Sequence, residues 1–378
     1  MTRIASFAEE LALYPANAVA ERLQAAGPAD VERALGASRP GPADIVALLS
    51  PAAEPYLPTL AKRARELTVR HFGRTVQLFA PLYASNACDN ACVYCGFSRR
   101  NSARRRTLTA DEIEREGANL HEKGFRHVLL VSGESPSVFG EDGLEQALRR
   151  LAPMFPSVTV EVFPMDEAGY RRAVIAGADG LALYQETYDR ELYAELHPSG
   201  RKRDFDARLQ APEHAARAGM RRVVLGSLLG LRDLRLDAFA MALHARHLAR
   251  VDWRVHVCLA FPRMRPAEGA FVPASPVSDR ELAQLVCAMR IALPHAGLAL
   301  STREPAEVRD ALLGVGITHV SAGSKTAPGA YACGVEDELG QFAVNDSRSA
   351  LEMREAIRAA GFDPVWKDWD PGLREAAP

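Results

Sequence analysis

The chain has no apolar run approaching the roughly 20 residues that a membrane span requires. It has no excess of either charge and few cysteines, 6 in 378 residues. Each absence excludes something. A formal net charge of −2 gives no global field for polyanions, so nucleic-acid or membrane binding would need a local patch. The start, "MTRIASFAEELALYP", places charges where a signal peptide has its apolar stretch, and a soluble cytoplasmic protein is expected. Cysteines so sparse in so long a chain do not make a disulfide framework. The G-x-G-x-x-G fingerprint after the first strand is also missing, which counts against a doubly wound nucleotide-binding sheet.

What is present begins with a rhythm. Residues 1–75 are Ala-rich and helical in pattern: "DVERALGAS", "ADIVALLS" and "YLPTLAKRARELTVRHFG" carry apolar residues at helical spacing, with prolines between them. From residue 76, strand candidates alternate with helix candidates. The strands are "VQLFAPLYAS", "HVLLVSGE", "SVTVEVFP", "GLALYQET", "RRVVLGSLLG", "RVHVCLAFP", "GLALSTRE" and "ITHVSAGSK". Several are continuous apolar runs, as strands covered on both faces require. The first helix after the alternation begins opens on a capping box, Thr109 to Glu112. Gly124, Gly177, Gly219 and Gly314 stand where helices should end. Eight such units predict an α/β chain folded as a (β/α)8 TIM-type barrel over 76–327. A helical extension over 1–75 precedes it and an extension over 328–378 follows, with one amphipathic helix, "RSALEMREAIRAAGFDP", and then "VWKDWD".

In such a barrel the active site lies at the C-terminal ends of the strands. Those ends are polar in this chain: Ser85, Ser132-Gly133-Glu134, Tyr184-Gln185-Glu186-Thr187, Ser227, Arg263, Ser301-Thr302-Arg303-Glu304, Ser321, Ser324 and Lys325. The first strand leads into "SNACDNACVYCGF", where Cys88, Cys92 and Cys95 have the spacing C-x3-C-x2-C. A structural zinc site is closed by four protein ligands, and no fourth cysteine or nearby histidine completes one; His71 and His121 lie well outside the loop. A redox pair leaves Cys88 without a role. A four-iron cluster takes four thiolates, so three would leave one iron open to N and O donors of a second molecule. Cys258 and Cys287, inside apolar runs, read as small core residues; Cys333, in "GAYACGVEDE", is undecided.

C-x3-C-x2-C after the first strand of a βα barrel, with Tyr94 before the third cysteine, resembles the radical S-adenosylmethionine (SAM) superfamily. The further segments "VLLVSGE", "YQETY", "HPSG", "FPRMRP", "LSTRE", "SAGSKT" and "PVWKDWD", in order, are similar to its aromatic amino-acid lyase branch, nearest the 2-iminoacetate synthase (tyrosine lyase) family. This likeness runs over nearly the whole chain. It implies a [4Fe-4S] cluster on Cys88, Cys92 and Cys95, with SAM on the open iron. SAM is then cleaved to a 5′-deoxyadenosyl radical that takes hydrogen from the amino nitrogen of L-tyrosine. The Cα–Cβ bond breaks to give p-cresol and 2-iminoacetate (dehydroglycine), which supplies the thiazole of thiamine. Thiazole synthase and a flavodoxin-type reductant are the implied partners.

The resemblance also suggests roles. Glu134 of the "GE" motif would hold the SAM amino group, Glu186 its ribose or amino group, and Arg208 of "FDARL" its carboxylate; Tyr94 belongs with the SAM-binding set. Arg303 is chosen for the tyrosine carboxylate, with Ser301 assisting, because only Arg offers a rigid bidentate fork. Ser321 and Ser324 are further substrate candidates. Arg263 and Arg265 are read as structural partners of Glu304 or Glu268, and no residue is chosen for the phenol proton. The run "SRRNSARRR" is the sole support for an RNA-modifying alternative. Without interleaved aromatics for base stacking it is read as a solvated or ion-paired loop. A tryptophan-cleaving relative is the other alternative. A hydrogenase-maturation relative with a second, C-terminal cluster is disfavoured, because Cys333 is the sole cysteine after Cys287.

Overall fold

The computed structural model describes residues 6–265, 271–335 and 340–368. Five helices come first: α1 (Phe7–Ala12), α2 (Ala16–Ala25), α3 (Pro28–Gly36), α4 (Pro42–Leu49) and α5 (Leu57–Phe72). Their starts are written locally. Ser6 and Glu9 form a capping box at α1, and Pro28 and Pro42 take the first positions of α3 and α4, where a missing N–H is harmless. Ile45 to Leu49 of α4 are all buried.

Eight parallel strands follow: β1 (Thr75–Ser85), β2 (His127–Ser132), β3 (Ser157–Glu161), β4 (Gly180–Glu186), β5 (Arg222–Ser227), β6 (His256–Ala260), β7 (Gly297–Leu300) and β8 (His319–Ser321). Each pairs with the next, and β8 and β2 both pair with β1, which closes the barrel. The strands are separated by α6 (Ala110–Glu122), α7 (Glu141–Leu151), α8 (Glu167–Ala176), α9 (Arg190–Leu196) with α10 (Phe205–Arg217), α11 (Leu234–Val251), α12 (Asp279–Ala292) and α13 (Ala306–Leu313). α4 and α5 pack on α12, and α4 also on α11, so the N-terminal helices thicken one side of the barrel wall. Among the described residues, no helix is long and apolar enough to cross a membrane.

All eight expected strands are present. Three of the four expected glycine stops have the left-handed backbone that favours glycine: Gly124 (φ 96°), Gly177 (φ 118°) and Gly219 (φ 98°). Gly314 is a correction: its φ of −78° is right-handed, so it ends α13 without needing to be glycine for that reason.

After β8 the chain returns through α14 (Ala350–Ala359) to a short ninth strand, β9 (Asp363–Val365), which pairs parallel with Thr75–Gln77 of β1. Trp366 packs edge-on against Phe125, ring centroids 5.6 Å apart; Trp369 lies outside the described residues. Two buried charges fasten this return. Glu116 of α6 accepts the backbone N–H groups of Tyr331, Ala332 and Cys333 at 3.0, 2.6 and 3.0 Å. Arg309 of α13, fully buried, pairs with Asp346 and donates to the Ser321 carbonyl. Cys333 thus belongs to a loop pinned on α6.

Removing one partner of a buried ion pair strands the other. Asp346→Ala is therefore expected to lower the unfolding free energy by about 3–5 kcal/mol, measured by urea denaturation. A loss under about 1 kcal/mol would mean that solvent or a neighbour takes over Arg309.

Candidate active site at the barrel mouth

The cysteine loop leaves β1 and is stitched down on every side. Asn90, buried at its centre, donates Nδ2 to Glu134 Oε2 at 2.9 Å and accepts the Lys202 N–H on Oδ1 at 2.9 Å. Asp89 N–H donates to the Glu134 carbonyl (3.0 Å), Ala91 N–H to the Ser199 carbonyl (3.1 Å) and Val93 N–H to the Leu196 carbonyl (3.2 Å). Tyr94 Oη meets His197 Nε2 at 2.7 Å; burial depresses His197 to about 3, so the imidazole is neutral. Gly133 and Gly200 permit the close approach. A Cβ on Gly133 would sit 2.3 Å from the Ala87 carbonyl oxygen, and one on Gly200, at φ 96°, would sit 2.2 Å from Asn90 Oδ1.

The arginine run belongs to this scaffold in part. Arg105 donates to the carbonyls of Asn86, Phe97, Ser98 and Asn101 at 2.7–3.3 Å, tying the loop together from beneath. Arg106 pairs with Glu112 at 2.9 Å.

Cys88, Cys92 and Cys95 are free thiols on one loop. Burial raises all three, and Lys202 partly offsets it at Cys92 and Cys95. Among the described residues, the one trio of ligand atoms within 4.8 Å of one another is elsewhere, so these sulfurs spread wider than the ligands of a single ion. Three partly shielded thiols, spread apart and facing a cation, fit a polynuclear iron–sulfur cluster, whose thiolates bind different irons.

Beside the loop lie two buried ion pairs. Arg208 Nη1 donates to Glu134 Oε1 at 2.7 Å, and Lys202 Nζ to Glu186 Oε1 at 2.6 Å. Arg208 Nε also donates to the Tyr184 carbonyl at 2.7 Å, so this arginine is committed to the mouth rather than to the helix surface. Burial opposes ionisation of both glutamates, yet Arg208 and Lys202 hold each below the ordinary carboxylate value. Glu186 has φ 69°, the one positive φ outside glycine among the described residues. It stands where the β4–β5 register shifts, a strained irregularity of the kind that re-aims a side chain at functional sites. Lys202 is a residue that sequence reading missed; it sits inside the basic run "GRKR" directly after "HPSG", and nothing in that run distinguishes it from its neighbours.

Next to the ion pairs the barrel encloses a cavity of about 70 Å³. Its walls are mainly apolar, with polar groups that include Ser301, Arg303, Ser321, Ser324, Glu161 and Gln341 alongside Tyr83 and Tyr184. Arg303 lies over the Phe342 ring, 3.4 Å from its centroid, and makes no ion pair among the described residues. Its neighbour Glu304 is spoken for: Arg263 (Nε, 2.8 Å) and Arg265 (3.0 Å) both donate to it, as expected for the "PRMRP" arginines. Glu268 lies outside the described residues. Ser321 Oγ accepts the Thr302 N–H at 3.1 Å, while Ser324 Oγ is buried with no partner among the described residues. Gln341 bridges the cavity to the loop, accepting from Tyr83 Oη at 2.9 Å with its Nε2 3.9 Å from Cys95 Sγ.

Glu161 is the second residue that the sequence did not single out. It ends β3 and lines the cavity, and its carboxylate makes no hydrogen bond or ion pair among the described residues. Burial pushes it up to about 7, with Arg303 pulling the other way.

Two family models match the chain: the radical SAM superfamily over residues 82–244 and the biotin and thiamin synthesis associated domain over 260–363. The 2-iminoacetate synthase of Escherichia coli (strain K12) is 45% identical over 350 residues, 92% of this chain and 93% of that protein. The Salmonella typhimurium 2-iminoacetate synthase is 42% identical over the same shares. Among solved structures, HydG, a maturase of the [FeFe]-hydrogenase, superposes with a TM-score of 0.84 at 31% identity, over 96% of this chain and 79% of that one.

Glu161 gives the site a pH signature. Its carboxyl keeps a proton in the folded state, at about 7, that the unfolded chain releases near 4.3. Stability is thus undiminished by this group below about pH 4 and falls as pH rises towards 7. Above that the cost is constant. In denaturation curves without ligands, Glu161→Gln should gain stability relative to wild type progressively between about pH 5 and 7. A difference independent of pH would show that Glu161 is solvated like a surface carboxylate.

Proposed function

The chain belongs to the 2-iminoacetate synthase family of radical SAM enzymes, and on that premise we propose how its own residues cleave the Cα–Cβ bond of L-tyrosine to 2-iminoacetate and p-cresol. The cofactors are a [4Fe-4S] cluster and SAM. When bound, they supply the 5′-deoxyadenosyl radical that removes a hydrogen atom from the tyrosine amino group. Cys88, Cys92 and Cys95 would hold the cluster, and Lys202 lowers the cost of the thiolates at Cys92 and Cys95. Glu134 and Arg208 offer opposite charges to the amino and carboxylate groups of SAM. Glu186, left-handed at φ 69° and paired with Lys202, would serve the SAM ribose or amino group. Tyr94, clamped by His197, supports the loop from below.

The observation that carries the substrate assignment is Arg303: the apolar cavity contains one guanidinium, and no carboxylate pairs with it among the described residues. A free amino acid supplies that carboxylate. Arg303 grips it, Ser301 assists, and Phe342 fixes the plane of the fork. The aromatic ring lies among the cavity's apolar walls, which exclude water from the breaking bond. Glu161 accepts the phenol O–H proton and returns it to the cresol oxygen, a task for which a group near neutrality is suited.

The product supplies the thiazole of thiamine; thiazole synthase, a flavodoxin-type reductant and a cytoplasmic location complete the proposal, all resting on the family. The RNA-modifying alternative loses ground, because Arg105 and Arg106 of the basic run are used within the fold.

Under anaerobic conditions the reconstituted enzyme with SAM, reductant and tyrosine should release p-cresol and 5′-deoxyadenosine. SAM cleavage that yields p-cresol from no tyrosine, but proceeds with tryptophan, would replace the substrate. Arg303→Lys should raise the tyrosine KM by roughly tenfold to a hundredfold, the worth of a charge-assisted bond, with iron content unchanged. An unaltered KM removes Arg303 from the substrate site. Separately, Cys92→Ala should abolish both the visible iron–sulfur absorption and SAM cleavage; full iron loading of that variant would overturn the ligand assignment.

A further inference from the structure

The opposite, N-terminal end of the barrel holds a second cluster that the chemistry above does not use. His256 and Cys258 occupy alternate positions of β6 and so share a face; His319 opens β8. Cys258 Sγ lies 3.8 Å from His256 Nδ1, and the imidazoles of His256 and His319 are 6.0 Å apart. One ligand atom from each of the three lies within 4.8 Å of the others.

That convergence needs explaining, because β6 and β8 are not neighbours. β7 runs between them, and strands two apart stand roughly 10 Å from each other. The residue of β7 paired with Cys258 is Gly297. A Cβ at Gly297 would lie 2.4 Å from Cys258 Sγ and 2.9 Å from His319 Cε1. The missing side chain is therefore the space in which the sulfur and the ring meet. His319 is also oriented, its Nδ1 bonded to Thr318 Oγ1 at 2.8 Å. Around the trio are polar groups that an apolar barrel floor does not call for. His127 Nδ1, Arg222 Nε and both amide atoms of Gln77 are buried without partners among the described residues. A cavity of about 60 Å³ touches Cys258, His319, His127 and Arg222. On the outer side, His256 also lines a surface groove between Trp253 and His295.

We propose that His256, Cys258 and His319 form a binding site for a borderline-soft divalent transition metal of the zinc class, distinct from the cysteine loop. One thiolate and two imidazoles are a ligand set that zinc accepts, with the cavity leaving a fourth position to solvent. Burial holds His256 at about 4 and His319 lower still, so both rings present a free lone pair at neutral pH. Binding forms the metal–sulfur bond and releases the Cys258 thiol proton to solvent. The nearby Arg222 charge is balanced by Asp368, 3.1 Å away, which also pairs with His127. Bound there, the ion would tie β6 to β8 across β7, at the end of the barrel that serves stability rather than chemistry. Zinc has no redox chemistry to exchange with the cluster.

The test uses the holoenzyme with its cluster filled, so that the loop thiols are occupied. After exposure to Zn²⁺ and gel filtration, zinc and iron are counted by mass spectrometry, and the zinc K-edge spectrum is recorded. The expected result is about one zinc per chain with a first shell of one sulfur and two nitrogens or more. Cys258→Val and, separately, Cys258→Ser should keep their iron and lose at least tenfold in zinc affinity, and zinc should raise the thermal midpoint of wild type but of neither variant. Wild-type holoenzyme that retains no zinc above background overturns the proposal without recourse to variants. So does undiminished zinc in an iron-loaded Cys258 variant, or a first shell of three sulfurs, which would place the ion on the cysteine loop.

Discussion

Glu134 is where the working parts of this molecule meet. Its carbonyl accepts Asp89 of the cysteine loop, one carboxylate oxygen accepts Asn90, and the other accepts Arg208 of α10. A buried carboxylate is costly unless it is paired and hydrogen-bonded, and here the partners come from two separate segments, the cysteine loop and α10. Asn90 passes the connection on to Lys202, and Lys202 to Glu186 on β4. Loop, barrel and helix therefore share one electrostatic unit. The position of the three thiols follows from that unit more than from any property of the loop itself, which has no regular secondary structure of its own.

The two ends of the barrel use polar groups in opposite ways. At the mouth, charges are present and mostly paired; among the described residues Arg303 makes no ion pair and lies over Phe342, and burial pushes Glu161 up to about 7. At the floor, burial keeps His127, His256 and His319 below their ordinary values, so the histidines there are uncharged donors rather than titrating groups. Between the two lies a shared apolar belt that includes Phe79, Leu129 and Ala299. It insulates one polar layer from the other.

Much of this was legible in the sequence, for physical reasons that differ by element. Strands buried on both faces must be apolar throughout, so runs such as "HVLLV" announce themselves. The mouth residues could be placed because a barrel puts every strand's C-terminal end on one face, which is how Glu134, Glu186, Ser301 and Arg303 came together. Glu161 escaped because a single glutamate in "TVEVFP" reads as the polar half of an alternating strand. Lys202 escaped because its partners are Asn90 and Glu186, and the first is 112 residues away; local patterns cannot report such pairings. The Cys258 cluster was hidden for the same reason: an apolar setting describes the cysteine correctly but says nothing of a glycine on the next strand.

The pairing of β9 with β1 bears on the order in which the molecule is built. β1 is the strand that delivers the cysteine loop, yet its first residues are bordered by Asp363–Val365, roughly 290 positions later, a very non-local contact of the kind that forms late. During synthesis the loop emerges long before the segment that completes its supporting strand. The barrel can zip from β2 to β8 while β1 still lacks one neighbour at its base. Maturation of this protein is therefore sequenced by topology: the strand that leads into the cysteine loop gains its neighbour at Thr75–Gln77 only from a segment made after all eight barrel strands, so the base of that strand settles later than the sheet it belongs to.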